Sequence, residues 1–287
     1  MKLLVFGETG QVATALRAAG PARGHEMTAL GRAAADLGDP AACAARIAAS
    51  EADAVINAAA YTAVDRAEAE VALAEAVNAH APGAMAAAAA AKGVPFLHIS
   101  TDYVFPGTGA RPWREDDPAE PLGVYGRTKR AGEEAVLAAG GAAVILRTAW
   151  VFSATGSNFA KTMLRLGAER DHLRIVADQR GGPTPAASIA EALLTIAEAY
   201  GAGRGTGGIF HFAGSPATTW ADFAEAIFAE ARLTPQVERI PTTAYPTPAA
   251  RPLNSVLDCT KIAEAYGIAQ PDWRTALAAI LKELATA

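Results

Sequence analysis

The sequence of 287 residues predicts a doubly wound α/β fold, in which helices cover both faces of a parallel sheet. Two observations lead to this prediction. Short, nearly continuous apolar runs alternate with alanine-rich segments of helical length, as expected for strands buried on both faces. In addition, a glycine-containing turn follows the first apolar run and opens the first helix. Folds of this class bind their ligands at the carboxyl ends of the strands.

The elements are predicted in the following order. Up to residue 152, strands are expected at 2–6, 26–30, 53–60, 95–100 and 142–152, with helices from about Gly10, over 40–50, in one long segment ending at Ala91, and from about Val124. After residue 153 the alternation loosens into a strand and Gly/Pro loop at 173–186, a helix at 188–200, a strand at 208–214 and an irregular proline-rich stretch at 241–255. We therefore expect a smaller, discontinuous C-terminal lobe.

The first turn, FGETGQVATAL, carries Gly7, Gly10 and Ala13 in a G-x-x-G-x-x-A pattern. Glycines let the backbone approach a pyrophosphate, and the helix N-terminus supplies amide donors to it. Turning alone would also explain the glycines, but their place after the first strand of a parallel sheet favours a Rossmann-like dinucleotide site. The spacing resembles that of the short-chain dehydrogenase/reductase superfamily. The residues expected to bind the cofactor here are Gly7, Thr9, Gly10, Gln11 and Val12.

The residues after the second strand include Arg32 and lack the acid that would hold the adenosine ribose of NAD at the strand end. An arginine can instead pair with the 2′-phosphate of NADP, which favours NADPH with NADH possible, although a solvated surface role explains Arg32 equally well. Asp36 and Leu37 resemble the pair that contacts adenine in the superfamily. The loop after the third strand resembles the superfamily segment along the cofactor, and its residues are Ala58, Ala59, Ala60, Tyr61 and Thr62.

Tyr125 and Lys129 follow in Y-x-x-x-K spacing, which places both side chains on one face of a helix. A hydride that reaches a carbonyl carbon leaves alkoxide character on the oxygen, which must then receive a proton. A tyrosine can donate that proton, and a nearby ammonium would lower the tyrosine pKa toward the operating pH. The lysine can also bind the nicotinamide ribose. Ser100 or Thr101, at a strand end, supplies the hydroxyl that the superfamily places in its active site.

Composition excludes several other classes of function. The net charge of -5 gives no basic surface for nucleic acid or anionic membrane, and no apolar run is long enough to span a bilayer. Cys43 and Cys259 lie far apart and form no metal-binding spacing, which indicates buried thiols in a reducing cytoplasm. His98 and His211 lie inside strand patterns, so they are expected to be core or hydrogen-bonded residues rather than bases.

The motifs GETGQV, VINAAAYTAVDRAE, STDYVFPGTG, VYGRTK, RTAWVF, NFAKTMLRL and AYPTPAARPLNS resemble the dTDP-4-dehydrorhamnose reductase family across nearly the whole chain. The resemblance implies NAD(P)H-dependent reduction of the C4 ketone of dTDP-4-dehydro-L-rhamnose. It also implies a cofactor lobe over residues 1–152, with returning segments near 188–214, and a substrate lobe formed mainly by 153–287.

The resemblance assigns catalytic roles to three residues. Tyr125 would be the proton donor, Lys129 its activator and Thr101 the tuning hydroxyl. Contacts to the nucleotide-sugar would come from Thr101, Asp102, Tyr125 and Trp150, with Asn158 and Arg251 as weaker candidates. An indole can pack its flat face on a deoxysugar, although a plain core role would also explain Trp150.

One departure from the family concerns metal. Some members dimerise around magnesium held by glutamates, one of them on the first helix, where this chain has Ala15 and no acid. We therefore expect a metal-independent monomer or weak homodimer. Two alternatives stay open: a reductase of another nucleotide-sugar, and a non-catalytic subunit similar to the regulatory subunit of methionine adenosyltransferase.

Overall fold

A six-stranded parallel sheet forms the centre of the computed structural model, which describes residues 1–286. The strands are β1 (Lys2–Phe6), β2 (Glu26–Leu30), β3 (Ala54–Asn57), β4 (Phe96–Thr101), β5 (Ala143–Thr148), β6 (Val151–Phe152), β7 (His172–Val176), β8 (Arg180–Gly181), β9 (Thr184–Pro185), β10 (Gly208–His211), β11 (Thr218–Thr219) and β12 (Gln236–Ile240). The central sheet has the order β10-β5-β4-β3-β1-β2, with every neighbouring pair parallel. The predicted doubly wound α/β class is confirmed.

Helices cover both faces of this sheet. The helices of the described chain are α1 (Gln11–Ala22), α2 (Pro40–Ala49), α3 (Val64–Ala67), α4 (Val71–Glu75), α5 (Ala81–Lys92), α6 (Val124–Ala138), α7 (Phe159–Glu169), α8 (Ala186–Gly201), α9 (Trp220–Ala231), α10 (Thr260–Tyr266) and α11 (Trp273–Thr286), of which α7, α9 and α11 lie beyond the sheet. The side chains of β1 alternate between two cores. Leu3 and Val5 pack with residues of α1 and α8, whereas Leu4 and Phe6 pack with residues of α2 and α5.

The chain reverses direction across the sheet between β1 and β3. From β1 it runs outward to the edge strand β2, and it then returns to β3 on the other side of β1. At such a switch point the loops after the two strands diverge and leave a crevice at their carboxyl ends. The crevice is the position where a dinucleotide would bind.

A second core lies beyond the central sheet. It is formed by α7, α9 and α11 around residues such as Phe152, Phe223 and Trp273, and the parallel pair β7–β12 lies beside it. Between these segments the chain returns to the central sheet, because α8 packs on α1 and β10 pairs with β5. The lobe boundary at residue 152 stays a prediction.

Two local predictions were wrong. The long helix ending at Ala91 is divided, since a single π-helical turn, Ala76–His80, separates α4 from α5 and short turns precede it. In that turn Asn78 is fully buried and binds both backbone polar groups of Tyr61 as well as the Thr128 hydroxyl. The strand at 142–152 is also interrupted, because Trp150 has φ +49° and the chain leaves β5 to pair with β9.

None of the helices described within residues 1–286 is both long and apolar enough to cross a membrane.

Candidate active site

A cleft of about 800 Å³ lies at the carboxyl ends of β1, β3, β4 and β5. A smaller pocket of about 320 Å³ adjoins it on the β2 side. The sequence-predicted residues that line the cleft are Gly7, Thr9, Gly10, Gln11, Val12, Arg32, Ala58, Ala59, Ala60, Thr62, Thr101, Asp102, Tyr125, Lys129 and Trp150. Asp36, Leu37 and Tyr61 line the smaller pocket together with Gly7, Arg32, Ala59 and Ala60. Asn158 and Arg251 line neither.

The glycine turn has room for a ligand only because its residues are small. Gly7 has φ +114°, and a Cβ on it would lie 3.3 Å from the Cβ of Ala13 and 3.4 Å from the carbonyl carbon of Ala58. A Cβ on Gly10 would meet nothing within 4 Å. Gly10 is the N-cap of α1 and provides no side-chain cap, so the first amides of that helix are not occupied by a capping oxygen. The turn therefore fits a pyrophosphate.

Opposite charges meet at the end of the cleft nearest β2. The Arg32 guanidinium pairs with Asp36 at 3.1 Å, and both side chains are exposed. The Gly38 amide and then Arg32 lower the pKa of Asp36. From the first turn, the Glu8 carboxylate lies over Gly31, where a Cβ would be 2.2 Å from Oε2. No pattern in the sequence indicated Glu8. Its position over the end of β2 depends on how the turn after β1 packs against the turn after β2.

The catalytic candidates lie at the opposite end of the cleft. The Thr101 hydroxyl donates to Asp102 at 2.9 Å and accepts from the Tyr103 amide at 3.2 Å. Burial raises the pKa of Tyr125 to about 12, against a hydrogen bond with Thr101 that lowers it. The expectation that an ammonium lowers this pKa in the unliganded protein was wrong, because desolvation of the phenolate outweighs the other effects.

Lys129 is almost completely buried, with 1% of its surface exposed. Its Nζ donates to the Ile99 carbonyl at 2.7 Å and lies 3.1 Å from Nε2 of His98. Burial lowers the pKa of Lys129 to about 8, whereas the charge of Glu133 raises it. The lysine is thus held by backbone and imidazole at the floor of the cleft. As expected, His98 is a buried, hydrogen-bonded residue, but the sequence did not indicate its partner.

Asp102 and Trp150 provide polar and aromatic surfaces on the substrate side. Asp102 is 2% exposed, its Oδ2 has no hydrogen-bond partner, and burial raises its pKa to about 6. The Trp150 ring stacks on Trp220 with 3.5 Å between centroids and 9° between planes. Gly181 lies against the indole, since a Cβ there would be 2.5 Å from Cε2 of Trp150. The indole is therefore fixed in orientation while it lines the cleft.

Asn158 and Arg251 are held away from the cleft by other partners. Asn158 caps α7 by accepting from the Lys161 amide at 3.1 Å, and it donates to Gln11 Oε1 at 3.0 Å. Arg251 pairs with Asp65 at 2.8 Å. Gln11 also accepts from the Ser153 hydroxyl at 2.8 Å, so it links the cofactor turn to the start of the second lobe. Within residues 1–286, no three His, Cys, Asp or Glu side chains form a group that could hold a metal.

Comparison with known proteins gives a consistent result. A family model described as the RmlD substrate binding domain matches residues 1–286. A dTDP-4-dehydrorhamnose reductase of Burkholderia thailandensis is 45% identical, with 99% of each chain covered. That of Escherichia coli K12 is 40% identical over 100% of this chain and 99% of the relative.

Solved structures agree with the curated relatives. A dTDP-4-dehydrorhamnose reductase from Clostridium acetobutylicum superposes with a TM-score of 0.93 at 33% identity, covering 99% of this chain and 100% of the other. The Bacillus anthracis reductase, solved in complex with NADP, gives a TM-score of 0.92 at 29% identity, covering 98% of this chain and 99% of the other. The chain therefore belongs to the dTDP-4-dehydrorhamnose reductase family.

Proposed function

We propose that this chain reduces the C4 ketone of dTDP-4-dehydro-L-rhamnose to dTDP-L-rhamnose with NAD(P)H. The observation that carries the proposal is that Tyr125, Lys129 and Thr101 line the same cleft as the glycine turn. Ketone reduction needs a hydride donor and a proton donor at one carbonyl, and this cleft can hold both. The substrate is that of the relatives, which match over the full length of the chain.

The cofactor fits the residues of the cleft. Gly7 and Gly10 leave space for the pyrophosphate beside the first amides of α1, and the loop residues Ala58, Ala59, Ala60 and Thr62 line the same cleft. When bound, NAD(P)H supplies the hydride. We propose NADPH as the preferred form, because Arg32 can pair with the 2′-phosphate, with NADH also used because Asp36 already engages that guanidinium. Comparing KM for NADPH and NADH in Arg32→Ala and in the unmodified protein checks this preference; an unchanged ratio contradicts it.

Tyr125 is the proposed proton donor. Because burial raises its pKa to about 12, the phenol is protonated at neutral pH and ready to transfer its proton to the oxygen that gains alkoxide character. The Thr101 hydroxyl, whose one hydrogen is donated to Asp102, can orient the carbonyl or favour the phenolate only after that hydrogen turns from Asp102 toward Tyr125. Lys129 holds the ribose and, when charged, stabilises the same phenolate.

The sugar nucleotide would bind along the Trp150 side of the cleft. The indole borders the cleft in a fixed orientation and can contact the deoxysugar, and Asp102 lines the same cleft as a candidate acceptor for a sugar hydroxyl. Asn158 acts indirectly in this proposal, by fixing the loop that carries Gly156 and Ser157 at the cleft. Arg251 can reach a phosphate only after it separates from Asp65, so we assign it a secondary role.

The deciding experiment follows the loss of reduced-nicotinamide absorbance with purified protein and dTDP-4-dehydro-L-rhamnose. We expect turnover with this ketone and much less with a panel of other nucleotide-sugar ketones. Turnover with another member of the panel would favour the alternative substrate, and no turnover with any would favour the non-catalytic alternative. Activity should survive EDTA, because Ala15 on α1 offers no acid for a bridging magnesium.

The cellular compartment and the oligomeric state are proposed from the cysteines and from the first helix. Cys43 and Cys259 are free and buried, as expected in a reducing compartment, so we propose the cytoplasm. A monomer or weak homodimer is proposed because α1 lacks an acidic residue in its first turn. Sedimentation with and without magnesium would test the assembly; a tight dimer that forms only with the metal would contradict it.

A further inference from the structure

A buried chain of hydrogen bonds runs from the cofactor loop to Lys129. The Ala59 amide donates to Oδ1 of Asn57 at 3.1 Å, and Nδ2 of Asn57 lies 3.1 Å from Nδ1 of His98. On the other side of the imidazole, Nε2 lies 3.1 Å from Nζ of Lys129, which also donates to the Ile99 carbonyl. Asn57 and His98 are both 0% exposed, so protein groups must satisfy these atoms.

The backbone end of the chain fixes its polarity. A backbone amide can only donate, so the side-chain oxygen of Asn57 must face Ala59 and the NH2 group must face His98. Nδ1 of His98 is then an acceptor. Burial holds the pKa of His98 well below its usual range, and a charged lysine would lower it further, so the ring is neutral and carries one proton. That proton is therefore on Nε2, directed at Lys129.

This polarity matters for the charge of the lysine. An ammonium at Nζ would place N–H groups against the Nε2–H of His98, because both would be donors. A neutral amine has a lone pair that accepts from Nε2–H while its own hydrogen still reaches the Ile99 carbonyl. For Nε2 of His98 to accept a hydrogen bond from an ammonium, its proton must move to Nδ1. Asn57 must then turn its amide, which breaks the hydrogen bond from the Ala59 amide.

We propose that His98, oriented by Asn57, is a positioning residue that favours the uncharged amine of Lys129 over the ammonium. The inference rests on the proposed function, in which charged Lys129 stabilises the phenolate of Tyr125. The other titratable groups around the lysine are Glu133, one turn along α6 and paired with Arg147 of β5, and Tyr125 one turn before it. Asp102 acts on Tyr125.

The first test needs no catalysis. Long-range nitrogen–proton NMR spectra of the unliganded protein distinguish the two neutral tautomers of histidine, and the chain contains five histidines. The His98 signals are those that disappear in His98→Gln. We expect the Nε2–H tautomer with no titration near pH 6.5. An Nδ1–H tautomer, or a protonated ring at neutral pH, would overturn the proposal whether or not the protein reduces any sugar.

The second test is the pH profile of kcat/KM. Charged Lys129 is the active form, so activity falls as pH rises through its pKa of about 8. In His98→Gln the amide oxygen can accept from the ammonium, and we expect the alkaline midpoint to rise by about one pH unit, the shift produced by one typical hydrogen bond. Asn57→Asp replaces the donor toward His98 by an acceptor, which reverses the direction of the hydrogen bonds between residue 57 and Lys129. It should therefore also raise the alkaline midpoint.

A matched control separates this role from simple packing. His211→Gln also removes a buried, hydrogen-bonded imidazole, but that ring contacts Trp113 and Arg147 rather than Lys129. It should leave the alkaline midpoint where it is. If His98→Gln lowers kcat/KM without moving the midpoint, or moves it downward, His98 is structural and the proposal fails.

Discussion

Replacing Gly126 by alanine is expected to displace Tyr125, the proposed proton donor, without changing its side chain. Gly126 follows Tyr125 on α6 and is buried against the loop after β4. A Cβ at this position would lie 2.2 Å from the carbonyl oxygen of Tyr103 and 2.8 Å from Cβ of Pro121. This oxygen belongs to the loop backbone and is not the end of a flexible side chain. The helix itself must therefore move.

The size of the effect follows from that distance. Carbon–oxygen contacts of this kind lie at roughly 3.3–3.6 Å, so α6 must withdraw by about 1 Å. A misplacement of about 1 Å can lower a rate on the order of 10²-fold, which corresponds to about 2.7 kcal/mol of activation free energy. Stability should change less, because overpacking costs about 1–3 kcal/mol and alanine regains up to about 1 kcal/mol of helix propensity.

The assay compares kcat/KM for the nucleotide-sugar ketone, cofactor affinity and Tm in Gly126→Ala and in Arg127→Ala. Arg127 is the control because it is exposed on the same turn of α6. We expect a large fall in kcat/KM for Gly126→Ala, with cofactor affinity retained, and little change for Arg127→Ala. A Gly126→Ala protein with unchanged kcat/KM would refute the argument that this close approach positions Tyr125.

Three further outcomes are expected. Tyr125→Phe should bind cofactor normally and lose about 10²–10⁴-fold in kcat, measured by titration and turnover; retained turnover would remove Tyr125 as proton donor. Glu133→Gln leaves the 1%-exposed Arg147 with an uncompensated charge, and it should lower the free energy of unfolding by about 3–5 kcal/mol in urea; a change below 1 kcal/mol would contradict a buried ion pair. Burial lowers the pKa of His211 to about 3 in the folded protein, whereas the pKa of an unfolded histidine is about 6.5. Between these two values the unfolded chain binds a proton that the folded protein does not bind, so the free energy of unfolding falls as the pH falls. His211→Gln should reduce this dependence by about 1.4 kcal/mol per pH unit between about pH 6 and 4, and an unchanged slope would refute it.

The sequence predicted the central sheet well because buried parallel strands and their helices have strong periodic signals. It also predicted most of the residues that line the cleft, since the carboxyl ends of parallel strands meet at one edge, but Asn158 and Arg251 line neither pocket. The two wrong elements have local causes. Nothing in an apolar run marks the left-handed Trp150, which depends on pairing of β6 with β9. The π-helical turn depends on Asn78, whose partners are distant in sequence.

The electrostatics of the site could not be predicted from spacing alone. Tyr125 and Lys129 are one helical turn apart, as the pattern indicated, but burial raises one pKa and lowers the other. Residue spacing contains no measure of how deeply either side chain is buried. Arg251 was a weaker candidate for a substrate contact, and its pairing with Asp65 becomes visible only in three dimensions. A polar residue inside an apolar strand, such as His98, was the one available signal of the hydrogen-bond chain.

The return of the chain to the central sheet at α8 and β10 has a consequence for how the enzyme can be divided. Segments of the second core lie on both sides of this return, so no single cut separates the central sheet from the second core. A fragment that ends at residue 152 would lose the edge strand of its own sheet and the helix that covers α1. Exchanging the second core between relatives therefore requires two simultaneous grafts. The same route through the fold makes many contacts distant in sequence, which predicts slow folding of the two lobes as one cooperative unit.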